Sequence, residues 1–267
     1  MPKEEPPAMR RTGAGRRKAD APKLTPLVHS EGRSLAQGVY DTLRVALMSG
    51  AILPGISLTS RSLSEALKVS ATPVRDALKR LEAEGALRSK SKSAFFLNDP
   101  DRREFEEIVD IRLKLEGLAI RRAAAVATPE ALAPIRELNV KYDTLLNLDG
   151  PRRADSLVPN FQFHFQIYCL AGSEILVQMI ESTWTRIGPT LHRFNMTSEH
   201  LALSAEAHWM MLDALAKNEP DAAEAALKQD IMTAYRDIAP TLRPPAAASK
   251  TVASRSFLSI GGTTDSA

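Results

Sequence analysis

The sequence predicts a mainly α protein in two parts: three short helices with a small β-wing, then an all-α antiparallel helical bundle. Three observations predict it. Apolar residues recur at helical spacing over Leu35–Leu47, Leu63–Leu67 and Val74–Leu81, and the intervals between the last two leave room only for a tight turn. Past Gly85, two strand-like segments flank a polar, basic tip. From Asp101 to about Leu242 the pattern is helix after helix, broken by Gly and Pro and without a convincing strand.

Residues 1–30 hold Pro2, Pro6, Pro7, Pro22 and Pro26 with Arg10, Arg11, Arg16, Arg17 and Lys18, and no apolar period, so a disordered basic tail is expected. Leu35, Val39, Leu43 and Leu47 then give a first helix closed by Gly50. In residues 60–88, Leu63, Ala66 and Leu67 mark a second helix, Val69, Ser70 and Thr72 interrupt it, and Val74, Ala77, Leu78 and Leu81 start a third. Ser70 or Thr72 is expected to cap that third helix, Pro73 falls in its first turn where a missing donor does no harm, and Gly85 stops it. Once Val74, Leu78 and Leu81 are buried, Arg75, Lys79 and Arg80 are left on the free side. Such a cationic face suits a phosphate-lined groove, although many basic faces are simply solvated. Leu87 to Leu97 supplies the wing, which completes a winged helix-turn-helix over residues 34–98.

Bulk composition fits this division. Residues 1–33 carry a net charge of +4, residues 34–98 another +4, and residues 99–244 a net of −6, as expected for a nucleic-acid module joined to one with another task. The single Cys169 excludes an internal disulfide and fits a reducing cytoplasm. No apolar run approaches the roughly 18 residues of a membrane span, and no signal-peptide core opens the chain, so a cytoplasmic protein is expected.

Asp99-Pro100-Asp101 marks the boundary, and either aspartate can cap the first helix of the bundle. Helices are expected near 101–126, 129–148, 155–171, 174–195, 198–217 and 220–240, together a bundle over 99–244. Residues 245–267, rich in Ala, Ser, Thr and Gly, read as a second disordered tail.

The segments VYDTLRVALMSGAILPG, SRSLSEAL and VSATPVRDALKRLEAEGAL, with the wing, resemble the amino-terminal domain of GntR-type bacterial transcription regulators. Asp110 to Glu116, Phe163-His164 followed by Ala171-Gly172-Ser173, and Ala207-His208 leading into Leu212 to Leu215 resemble the FCD ligand-binding domain of the FadR-type subfamily. Six helices rather than seven favour its VanR-like branch. The resemblance implies a ligand-responsive regulator, commonly a repressor, that binds a palindromic operator in double-stranded DNA as a homodimer. It places Arg61, Thr72, Arg75 and Lys79 at the DNA and Lys90 and Lys92 of the wing on the neighbouring backbone or minor groove. Ala71 stands where the family usually has arginine, and Ala94 where a wing-tip glycine is common.

Asn160 and His164 are four apart and share one helix face, while His208 and Asp230 fall on the last two expected helices. Spacing alone allows either a metal site or a hydrogen-bonded core histidine with a surface aspartate. The resemblance implies a metal, since many FCD domains hold one with Asp, His, His and His; here Asn160 replaces the first and Asp230 the last. Two imidazoles and two oxygens lean toward Zn, Mn, Fe or Ni. Arg112 matches a position that faces the effector cavity in that family, where a guanidinium suits a small carboxylate effector; Glu116 offers instead an ordinary i,i+4 surface pair. Two other classes stay open: a metal-dependent enzyme on a helical bundle, with His192, Glu206 or Glu181 as base, and a sequence-tolerant DNA-binding protein.

Overall fold

The structure, a computed structural model, describes residue 24 and residues 34–91, 94–148, 154–193 and 198–245. Nearly all of both expected tails, and Lys92, lie outside the described residues.

The first unit begins with α1 (Leu35–Met48), whose N-terminus is capped by Ser34 Oγ accepting from the Gln37 N–H. Helix α2 (Ser60–Leu67) starts from Thr59, which caps it in the same way, and ends at Lys68 in the left-handed region. Helix α3 (Ala71–Ala83) follows Ser70, but neither Ser70 nor Thr72 makes the expected cap. The reason lies in the sequence itself. Pro73 occupies the third helical position, so an N–H that a capping hydroxyl would take is missing. Val39, Leu43, Leu47, Leu63, Val74, Leu78, Leu81 and Phe95 close one core between these helices and the wing.

The wing pairs β2 (Leu87–Ser91) with β3 (Ala94–Leu97), and a third strand, β1 (Leu58–Thr59), joins the other edge of β3 to give the order β1-β3-β2. Two residues are too short to show an alternating pattern, and the sequence carries no sign of β1.

The second unit holds six helices within 102–238: α4 (Arg102–Val126), α5 (Pro129–Leu146), α6 (Leu157–Leu170), α7 (Glu174–Ile187), α8 (Ser198–Ala216) and α9 (Pro220–Ile238). Asp101 caps α4 and Thr128 caps α5. A second core forms around Phe105, Ile120, Phe163, Ile167, Tyr168, Ile180, Trp184, Leu215, Leu227 and Ile231.

The helix expected over 174–195 stops at Ile187 and continues as a 3₁₀ turn over Gly188–Arg193. Pro189 cannot donate the next helical hydrogen bond, and Gly188 lies against α1 of the first unit. A Cβ on Gly188 would overlap the Leu47 carbonyl oxygen, so backbone meets backbone there. Nearby, Arg44 on α1 pairs with Glu181 on α7 at 2.7 Å, and the His192 imidazole bonds the Gly50 carbonyl. Helix α7 and the 3₁₀ turn after it thus grip the winged unit, beside α4, whose Glu104 meets Asn98 and Arg88. Replacing Gly188 with Ala should cost about 1–3 kcal/mol of stability, the range for overpacked sites, and shift a urea midpoint to lower concentration.

Candidate functional site

Helix α3 buries Val74, Ala77, Leu78 and Leu81 and leaves Thr72, Arg75 and Lys79 exposed on the opposite side. Arg80 does not join them. Its guanidinium lies 3.7 Å from the centroid of the Tyr40 ring, donates to Gln37 at 2.9 Å and pairs with Glu84 at 3.1 Å, so it fastens α3 to α1. Arg61 is almost fully exposed and, among the described residues, pairs with Glu65, four residues on. Lys90 packs its ammonium over Phe96 at 4.6 Å on the wing.

In the bundle, His164 on α6, His208 on α8 and Asp230 on α9 converge, with ligand atoms all within 4.8 Å of one another. Asp230 Oδ2 is 3.3 Å from His164 Nε2, and Oδ1 is 3.7 Å from His208 Nε2. The neutral tautomers can be read from the outer partners. Tyr168 gives its hydroxyl hydrogen to the Glu116 carboxylate at 2.6 Å, so its oxygen accepts from His164 Nδ1–H at 3.2 Å. His208 Nδ1 lies 2.9 Å from Asn139 Oδ1 and donates to it. Both Nε2 lone pairs therefore face the carboxylate. His208 Nε2 is buried without a hydrogen-bond partner. Three acceptors turned toward one point need a cation, either a proton or a metal ion.

Burial resists the proton at His208: it pushes the imidazole down to about 3, with Asp230 opposing and His164 adding to the shift. At Asp230 burial works upward, but a proton shared from His164, the charge of the two imidazoles and Ser204 overcome it and hold the carboxyl at about 2; with both imidazoles neutral, a metal ion must supply that charge instead. Ser204 donates to Asp230 at 2.8 Å and in turn meets the Tyr142 hydroxyl at 2.9 Å. The donor set thus fits a divalent ion: two neutral imidazoles, a carboxylate, and Asn160 on the wall of the same cavity.

Arg112 lines that cavity too, and it does pair with Glu116, but the pair is buried rather than on the surface. Glu116 is fully enclosed and accepts from Arg112 Nε at 2.7 Å, Arg112 Nη2 at 3.2 Å, Trp184 Nε1 at 2.9 Å and the Tyr168 hydroxyl. The Arg112 guanidinium also stacks over Trp184 at 4.7 Å. The enclosed space is about 40 Å³, room for an ion and a water rather than an organic acid.

Asn139, Tyr168, Trp184, Tyr142 and Ser204 were not singled out by the sequence. Tyr168 alone carries a local signal, four residues beyond His164 on α6. The bases considered for an enzyme do not gather here: Glu181 is held by Arg44, His192 by Gly50, and Glu206 lies exposed on α8.

A winged helix-turn-helix with a free cationic helix, joined to a bundle with an enclosed polar centre, is the architecture of a DNA-binding transcription regulator. Residues 35–97 match the profile of bacterial regulatory proteins of the gntR family, and residues 107–232 match that of the FCD domain. The chain belongs to the gntR family, with an FCD domain. It is 36% identical over 159 residues to the HTH-type transcriptional regulator McbR of Escherichia coli K12, covering 60% of this chain and 71% of that protein. It is 28% identical over 192 residues to the Nta operon transcriptional regulator of Aminobacter aminovorans, covering 71% and 88%. The solved structure of E. coli McbR/YncC superposes with a TM-score of 0.70 at 30% identity, covering 78% of this chain and 99% of that one. A gntR regulator from Rhodococcus sp. RHA1, TM-score 0.61 at 22% identity over 79% of this chain and 100% of that one, shares the fold. Among the described residues no helix is long and apolar enough to cross a membrane.

Removing the Glu116 carboxylate strands a buried guanidinium. Glu116→Ala should cost about 3–5 kcal/mol in chemical denaturation, and the double variant Arg112→Met/Glu116→Leu should recover most of the loss, because no charge is then left unpaired.

Proposed function

We propose that this chain is a repressor of the bacterial cytoplasm that binds a two-fold operator in double-stranded DNA as a homodimer. A small organic acid, acting with a divalent metal in the bundle, controls it. The single observation that carries this reading is the enclosed trio of His164, His208 and Asp230, with three acceptors and one unpartnered imidazole nitrogen converging on a shared point. In this reading they hold the ion, with Asn160 as a fourth oxygen or amide ligand. Bound there, a divalent ion supplies positive charge and an open coordination position for a carboxylate.

Arg112 is assigned to the effector carboxylate. Glu116 already occupies its Nε–Nη2 edge, which leaves Nη1 and the second Nη2 hydrogen to form another fork with a ligand. Because about 40 Å³ cannot hold a hydroxy or dicarboxylic acid, effector binding must widen the cavity. Trp184 and Leu191 form part of its wall, so widening bears on α7 and the 3₁₀ turn, which grip α1 through Glu181, Gly188 and His192. The ligand-free and widened forms then differ in how they hold the winged unit, which gives an effector its differential affinity.

At the DNA, Arg75 on α3 is assigned to base edges, and Thr72, Lys79, Arg61, Lys90 and Lys92 to phosphates and the wing contact. The exposure of Arg75 and Lys79, beside an Arg80 held in place, supports this division. Relatives named as transcriptional regulators argue against the enzyme reading, and the sites of Glu181, His192 and Glu206 supply no base near the ion.

Two measurements test the proposal. Chelator-stripped protein should take up one Zn, Mn or Ni per chain and His164→Ala none; a wild-type protein that holds no stoichiometric metal contradicts the sensor half. In operator titrations at fixed salt, Arg75→Ala should lose about 1–3 kcal/mol on specific DNA and little on random DNA, whereas Lys79→Ala should weaken both and flatten the salt slope. Equal losses on both DNAs for Arg75→Ala contradict the reading half.

A further inference from the structure

We propose that Asn139 and the Tyr168–Glu116 pair are positioning residues that fix the tautomers of His208 and His164, turning both Nε2 lone pairs inward and making the centre select a metal ion. The inference rests on the metal-centre reading above and names what enforces it.

The His164 side is determined by hydrogen counting. Glu116 receives the Arg112 guanidinium and the Trp184 N–H, an arrangement in which the carboxylate acts as an acceptor. Tyr168 gives its hydroxyl hydrogen to Glu116 at 2.6 Å. The phenol oxygen is then an acceptor, and only an Nδ1–H on His164 satisfies it at 3.2 Å. Position Nε2 is left bare toward Asp230. Arg112, Glu116, Tyr168 and His164 thus form one chain in which each group dictates the next.

The His208 side uses an amide and a clamp. The imidazole is sandwiched between Phe163, at 4.2 Å and 12° from parallel, and Tyr142, at 4.6 Å and 27°, so it cannot turn out of its plane. Asn139, fully buried, presents Oδ1 to Nδ1 at 2.9 Å and thereby assigns the hydrogen to that nitrogen. Were the hydrogen on Nε2 instead, Asp230 Oδ1 would stand at 3.7 Å, beyond hydrogen-bonding reach. Two ligand atoms that share a first-row ion at about 2.1 Å each stand about 3.0–3.4 Å apart at octahedral to tetrahedral angles. The 3.3 Å between His164 Nε2 and Asp230 Oδ2 lies in that range, and the 3.7 Å between His208 Nε2 and Asp230 Oδ1 lies just outside it. Outer partners that fix an imidazole in this way are worth about 10–100-fold in metal affinity.

The test uses the full chain stripped of metal, titrated with Zn²⁺ against a competing chelator, with histidine tautomers in the metal-free form read by ¹⁵N–¹H correlation. Wild type should bind one ion and show Nδ1–H at both histidines. Tyr168→Phe, close to isosteric, should release the His164 tautomer and weaken Zn²⁺ by about 10–100-fold. Asn139→Leu should do the same at His208, while Asn139→Asp, which keeps the acceptor, should restore wild-type affinity or better. Wild-type tautomers and wild-type affinity in both Tyr168→Phe and Asn139→Leu overturn the positioning roles and leave the metal centre standing. No stoichiometric Zn²⁺ on wild type overturns the centre, and the selectivity assigned to these residues with it.

Discussion

The bundle is organised around a conflict of charge: two imidazole lone pairs and a carboxylate aimed at one another in an enclosed space. Left alone, that arrangement is unfavourable, and only a positive charge among the three resolves it. The surrounding residues maintain the conflict instead of relieving it. Phe163 and Tyr142 hold one ring flat, Tyr168 and Asn139 occupy the outer nitrogens, and Ser204 holds an oxygen of Asp230. Arg112 and Glu116 extend the same network by a buried ion pair, which contributes less to stability than to the definition of one arrangement.

Helix α7 faces two ways. Its inner side contributes Trp184 to the Glu116 network, its outer side contributes Glu181 to Arg44, and the turn that follows it sets Gly188 against the backbone of α1. A glycine is needed at 188 because the Leu47 carbonyl occupies the space a side chain would take. Such close packing leaves little slack between Gly188 and α1. The division of charge, +4 over residues 34–98 and −6 over residues 99–244, suits a phosphate-binding unit joined to one with another task.

Most of this architecture is legible in the sequence because its signals are local. The 3.6-residue period and the Gly and Pro breaks place the helices, and the i,i+4 spacing puts Asn160 with His164 and Arg112 with Glu116. Charge composition makes Glu116 look like a surface partner, whereas its burial depends on Trp184 and Tyr168 arriving from two other helices. Asn139 carries no signal, since a lone polar residue in a helix becomes meaningful only when His208, 69 positions away, meets it. Arg80 departs from its expected place for the same reason: its helix face is free, but Tyr40 on α1 captures its guanidinium. Strand β1 and the 3₁₀ turn after Ile187 are set by pairing with β3 and by contact with α1, neither of which has a local period.

The most direct test of the account is operator affinity measured with and without metal and effector, in wild type and in the variant Arg44→Gln/Glu181→Gln. The pair lies outside both the ion centre and the DNA face, so the variant should bind the metal and the operator as wild type does. Its response to the ligand should fall from an expected 5–150-fold toward none. An undiminished response in that variant would contradict the claim that α7 carries the state of the buried centre to the DNA-reading helix.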